Sequence, residues 1–174
     1  MADISFVSSV VPFIRTMKVA RVALSDRASE GEYEDLSGPE IERVFEGLNG
    51  GGVSWIRIVM PDEQGRIEET LRRLCDEERC ELVLTTGGTG PAPRDVTPEA
   101  TLAVLERELP GFGEIMRVQS FTKVPTAILS RSTAGTRGRT LIVNLPGNPK
   151  AIGECLPLVA PAIREALRHL AGEK

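Results

Sequence analysis

The chain has 174 residues, 41% of them hydrophobic and 26% charged, with a formal charge of -4 at neutral pH. That length and balance suit a globular domain with its own apolar core and exclude a disordered or fibrous chain. The acidic balance argues against a protein whose main work is gripping a nucleic-acid backbone, which demands a basic surface.

Residues 1–16 read as an N-terminal extension of unknown role. Within it Phe6 to Ile14 is apolar, but the stretch lacks a basic leader and is far too short to span a bilayer, so neither a signal peptide nor a membrane anchor is expected. The domain is expected over residues 17–174, in the cytoplasm. Lys18 to Ser25 reads as a first strand feeding the polar cluster Ser25-Asp26-Arg27-Ala28-Ser29. Gly38-Pro39 opens a helix with Ile41, Val44, Phe45 and Leu48 on one face, closed by the glycines after Asn49.

Val53 to Met60 is a second strand. Pro61-Asp62-Glu63-Gln64 turns it into a helix that buries Ile67, Leu71, Leu74 and Cys75. Cys80 to Thr86 is a third strand, free of charge after Glu81, as for a strand covered on both faces. The run from Gly87 to Val96 is a loop, because its glycines and prolines sustain neither helix nor ladder. A helix restarts with Thr97 as N-cap and Pro98 in first position. The stretch around Phe112, Ile115 and Met116 continues helically, and Ala127 to Arg131 and Thr140 to Leu145 read as strands. Helices follow Pro149, the last with Val159, Ile163, Ala166, Leu167 and Leu170 on one face. Five strands interleaved with amphipathic helices predict a three-layer α/β/α sandwich around a mostly parallel sheet.

In such sheets the ligand crevice lies beyond the carboxyl ends of the strands. The unusual residues gather there: Ser25, Asp26 and Arg27 after the first strand, Asp62 after the second, Gly87 to Asp95 after the third, and Asn144 to Lys150 after the last. The glycine loop offers unshielded backbone N–H groups for phosphate oxygens, and Thr85, Thr86 and Thr89 add hydroxyls. It matches neither a Walker loop nor a dinucleotide fingerprint, which would place glycine where Pro93 stands. A tight turn after a buried strand is the plain alternative.

Asp62 and Asp95 form a carboxylate pair suited to Mg²⁺, which takes one or two carboxylates together with substrate phosphates and water. Their structural alternatives are an N-cap for Asp62 and an Asx turn for Asp95. Arg27, Arg94 and Lys150 stand where they can meet phosphates, or are ordinary surface charges. The cysteines Cys75, Cys80 and Cys155 lack metal-ligand spacing and read as reduced core thiols. His169, far along the last helix, supports neither a histidine base nor a zinc site.

Leu84-Thr85-Thr86-Gly87-Gly88-Thr89-Gly90-Pro91, followed by Arg94-Asp95-Val96-Thr97-Pro98-Glu99, resembles the signature of the bacterial molybdopterin adenylyltransferases. Similar blocks follow that family's order: Ser25 to Ser29, Pro61 to Gln64, Pro110 to Glu114, Ala127 to Arg131 and Asn144 to Gly147. Pro93 departs from it, standing where a second basic residue beside Arg94 is expected.

The resemblance implies the molybdopterin-binding fold, a homotrimer, and transfer of AMP from Mg-ATP to the terminal phosphate of molybdopterin with release of pyrophosphate. It implies Asp62 and Asp95 as catalytic and metal-holding residues. Ser25, Asp26, Arg27, Thr86, Gly87, Gly88, Thr89, Gly90, Arg94, Ser130, Asn144, Pro146, Gly147 and Lys150 are its expected binding residues. A molybdenum insertase is the expected transient partner, with no nucleic acid and no membrane. The alternative is a non-catalytic molybdopterin carrier or regulatory protein of the same fold.

Overall fold

A computed structural model describes residues 16–173. The extension expected over residues 1–16 lies, but for its last residue, outside the described residues, as does residue 174. Strand β1 (Met17–Leu24) leads through a short helix α1 (Asp26–Ser29) to α2 (Ser37–Asn49), then β2 (Val53–Met60), α3 (Gln64–Asp76) and β3 (Leu82–Thr86). After the glycine loop come α4 (Thr97–Leu102), the two-residue β4 (Arg107–Glu108), α5 (Gly111–Phe121) and a 3₁₀ turn (Pro125–Leu129). The chain ends with β5 (Ala134–Arg137), β6 (Thr140–Leu145) and α6 (Pro149–Ala171).

The described strands form one sheet in the order β2-β1-β3-β6-β5-β4. The first four are parallel, and β5 and β4 extend them as an antiparallel edge. Burial explains which strands are legible: β3 and β6 are buried at every residue, so both read as runs without a charge. Helices cover both faces. Ile41, Val44 and Phe45 of α2, Phe112 and Met116 of α5, and Ile152, Leu156, Val159 and Ile163 of α6 pack on one side. Ile67, Leu71 and Leu74 of α3, with Ala100 of α4, pack on the other against Ala20, Val22, Val83 and Ile142. This is the expected three-layer sandwich.

Four local expectations fail. Ala127 to Arg131 is no strand: Pro125 starts a 3₁₀ turn that leaves Ile128 60% and Leu129 53% exposed. The edge strands β4 and β5 are too short to show a period-two pattern, so six strands stand where five were expected. Thr97 is not an N-cap but the first helical residue, and its hydroxyl donates to the Gly87 carbonyl at 2.9 Å. After Pro149 a single helix of 23 residues runs on with Pro157 and Pro161 inside it. The cysteines are free and buried, as expected, and burial pushes the Cys75 and Cys80 thiols up to about 11. No described helix is long and apolar enough to cross a membrane.

Candidate active site

Because β1, β2, β3 and β6 run parallel, the loops that follow them open on the same side of the sheet. Between them lies a cleft of about 280 Å³ whose walls include Ser25, Asp62, Thr86, Gly87 and Gly147, one or more from each of the four loops. Cross-loop hydrogen bonds fix this rim. Thr86 Oγ1 donates to the Pro146 carbonyl at 2.7 Å, joining the ends of β3 and β6. Ser37 Oγ donates to the Gly147 carbonyl at 2.7 Å, bringing the start of α2 onto the same turn. The Asp62 N–H donates to Asp26 Oδ1 at 3.0 Å, joining the ends of β1 and β2.

The glycine loop owes its composition to close approach. A Cβ on Gly87, whose φ is +94°, would lie 2.1 Å from the Leu24 carbonyl oxygen. One on Gly88, φ +60°, would lie 2.3 Å from Thr97 Oγ1 and 2.6 Å from Asp62 Oδ1, and one on Gly90 would lie 2.7 Å from Asp95 Oδ2. Side chains at these positions would displace both carboxylates. The N–H groups of Gly88, Thr89 and Gly90 have no acceptor among the described residues, so they are available to an anion.

The acidic side chains differ sharply. Asp26 accepts a two-pronged ion pair from Arg94, with Nε to Oδ2 at 3.0 Å and Nη2 to Oδ1 at 2.7 Å, and Arg94 holds its carboxyl below the usual range. Asp62 is partly buried, and its Oδ1 is shut from solvent without any hydrogen-bond partner. Burial first, and the neighbouring Asp26 charge second, push the Asp62 carboxyl up. It does not cap a helix, since Glu63 holds the N-cap position of α3. Asp95 closes a turn by accepting the Ala92 N–H at 2.9 Å.

Among the described residues no three acidic, histidine or cysteine side chains gather as a protein-only metal cage. The donor set still fits a divalent cation shared with phosphates: hard carboxylate oxygens, one of them orphaned, beside unspent amides.

Several expected site residues do not line this cleft. Asn144 is fully buried below the rim, its amide donating to Thr85 Oγ1 and Thr101 Oγ1, each at 2.9 Å, so it braces β6 against β3 and α4 rather than facing the cleft. Arg94 forks onto Asp26 through Nε and Nη2. Arg27 lies over the Tyr33 ring, 5.2 Å from its centroid. Ser130, Pro146 and Lys150 line a neighbouring cleft of about 360 Å³, which also takes in Lys123 and Cys155.

The cleft also holds residues that sequence reasoning passes over. The Tyr33 hydroxyl lies 2.8 Å from Ser25 Oγ, and Asp35 Oδ1 accepts the N–H groups of Ser37 and Gly38 at 3.1 and 2.9 Å. Asp35 is in turn held by Arg21 at 2.6 Å. Arg21, only 8% exposed within a central strand, is the one signal that could have pointed to this network.

Comparison with known proteins matches this architecture. A family model described as a probable molybdopterin binding domain fits residues 20–165. The molybdopterin adenylyltransferase of Helicobacter pylori is 52% identical over 150 residues, covering 86% of this chain and 85% of that protein. The Escherichia coli enzyme of the same name is 50% identical over 156 residues, covering 90% and 80%. The crystal structure of a molybdopterin biosynthesis enzyme from Thermus thermophilus superposes with a TM-score of 0.81 at 45% identity, covering 90% of this chain and 98% of that one. By the extent of that match and the identity of those relatives, the chain belongs to the molybdopterin adenylyltransferase family.

Proposed function

We propose that the chain transfers AMP from ATP to the terminal phosphate of molybdopterin, releasing pyrophosphate, in molybdenum cofactor biosynthesis. The observation that carries this reading is the orphaned carboxylate oxygen of partly buried Asp62, shut from solvent beside a loop whose Gly88, Thr89 and Gly90 amides are unspent. A pterin phosphate oxygen attacks the α-phosphorus of ATP, a new P–O bond forms, and the bond to the β-phosphate breaks. The attacking oxygen is already anionic, so no histidine base is required. Catalysis then consists of positioning and charge neutralisation.

The loop amides bind phosphate oxygens, and Ser25, Thr86 and Gly147 shape the walls between which the two substrates meet. Asp62 and Asp95 are the residues to hold a Mg²⁺ ion brought in with ATP, which supplies neutralisation of the charge building on the leaving pyrophosphate. Lys150 and Ser130, in the adjoining cleft, extend the site toward the second substrate.

A homotrimer working in the cytoplasm, handing its product to a molybdenum insertase, completes the proposal. Exposed Val118, Phe121, Val124, Ile128 and Leu129 supply apolar surface for self-association. The deciding experiment is pyrophosphate release from Mg-ATP by the purified protein, with and without molybdopterin, alongside mass detection of adenylylated pterin. Release and product that both depend on molybdopterin establish the transferase. Tight pterin binding with neither makes the protein a carrier.

A further inference from the structure

Arg131 follows the 3₁₀ turn and belongs to no strand, yet it is tied to the glycine loop through its backbone N–H, Nε and Nη2. Its backbone N–H donates to the Thr89 carbonyl at 2.8 Å, and its Nε donates to the Gly90 carbonyl at 2.8 Å. Its Nη2 donates to the Asp95 carbonyl at 2.5 Å, and its Nη1 pairs with the Glu99 carboxylate. One residue thus grips three carbonyls across the turn from Thr89 to Asp95. A lysine has no such fork and cannot replace it.

The orientation that follows is fixed by peptide geometry. In a trans peptide the carbonyl and the next residue's N–H point in opposite directions. Anchoring the Thr89 carbonyl on Arg131 therefore turns the Gly90 N–H away from it, and anchoring the Asp95 carbonyl does the same for the Val96 N–H. The Gly88 carbonyl is held separately by the Thr97 N–H at 3.1 Å, which turns out the Thr89 amide. The residue after Gly90 is Pro91, so no donor is lost where Nε binds.

We propose that Arg131 is a positioning residue for adenylyl transfer: it holds the Thr89, Gly90 and Asp95 carbonyls on its own side, so that the loop amides and the Asp95 side chain are preset for the phosphates. The proposal rests on the transferase reading. It assigns Arg131 no phosphate of its own, since Nε, Nη1 and Nη2 each already hold a partner inside the fold.

The test compares wild type, Arg131→Ala and Arg131→Lys by amide hydrogen exchange, by steady-state kinetics and by rescue with free guanidinium. In Arg131→Ala the protected amides of Asp95 and Thr97 should exchange at least roughly tenfold faster, while β3 and β6 keep their protection. Turnover should fall by about 100-fold with a much smaller change in KM for ATP, because a loop displaced by an ångström misplaces the reacting groups. Millimolar guanidinium should restore part of the turnover of Arg131→Ala and none in wild type, and Arg131→Lys should stay defective.

A variant that keeps kcat and raises only KM would mark Arg131 as an ordinary phosphate contact and overturn the proposal. So would unchanged exchange in the loop, or full activity in Arg131→Lys, which also stands in should Arg131→Ala fail to fold. If the wild type makes no adenylylated pterin, the functional reading fails on that result alone, while loop exchange still decides whether Arg131 sets the loop.

Discussion

Asp26 and Asp62 end neighbouring strands and are joined by a hydrogen bond, yet they are set for opposite tasks. Asp26 is fully partnered: Arg94 takes both its oxygens, and its carboxyl is held below the usual range by that pairing. Asp62 has its backbone tied down and its side chain left alone, with an orphaned oxygen and a carboxyl pushed up by burial. Satisfied acids hold loops together, and an unsatisfied one retains its capacity to bind something that arrives later. The difference separates the scaffold of the rim from its chemistry.

The sharpest way to break this comparison is Asp62→Asn. The exchange keeps volume and removes charge, so adenylylation should fall by about 10²–10³-fold while circular dichroism and melting stay close to wild type. A variant that turns over normally removes Asp62 from the chemistry. Gly88→Ala comes next. Its methyl would meet Thr97 and Asp62 in a positive-φ position, so stability should drop by about 1–3 kcal/mol and activity by about tenfold or more. Gly31→Ala, also at positive φ but in open space, is the control that should spare activity.

Asp26→Asn should be milder in rate and informative in pH. A carboxyl raised in the folded state binds its proton more tightly than in the unfolded chain. Ionising Asp62 therefore costs stability as pH climbs from the ordinary aspartate range through its raised value. Asp26, being lowered, instead adds stability that is lost as pH falls through its depressed value. If ionised Asp62 is the active form, activity has an acid limb above the ordinary aspartate range. Removing the Asp26 charge, while an amide oxygen still accepts the Asp62 N–H, should move that limb to lower pH. A limb that stays put assigns it to another group. The smallest effect is expected from Arg94→Gln, a few-fold loss of rate with the limb moved upward, since Arg94 also draws the Asp62 carboxyl down.

Strand ends and glycine loop were legible in the sequence because parallel strands buried on both faces leave long apolar runs, against which Asp62 and Gly87 to Gly90 stand out. The antiparallel edge was not, because four residues such as Ala134 to Arg137 carry no period. A polar residue at a strand end was also ambiguous. Asn144 and Asp62 look alike in one dimension, and only the central place of β6, between β3 and β5, turns Asn144 inward to Thr85 and Thr101. Arg94 was read as a phosphate partner or an ordinary surface charge, since spacing cannot reveal that Asp26, 68 residues away, would pair with it. Ser37 gave no signal at all, because its partner at Gly147 is 110 residues distant.

That last contact bears on the order in which the molecule is made. The cleft is closed by bonds of long sequence separation, Ser37 to Gly147 and Thr86 to Pro146. Loop-closure entropy must be met before such contacts return anything, and a chain leaves the ribosome with its N-terminal part first. Strands β1 to β3 can pair while β6 is still unmade, but the pocket has no fourth wall until the Pro146-Gly147 turn emerges and β6 takes its place beside β3. Capacity to hold substrate is thus acquired late in synthesis, and a nascent chain stalled before residue 146 would carry the glycine loop without a site.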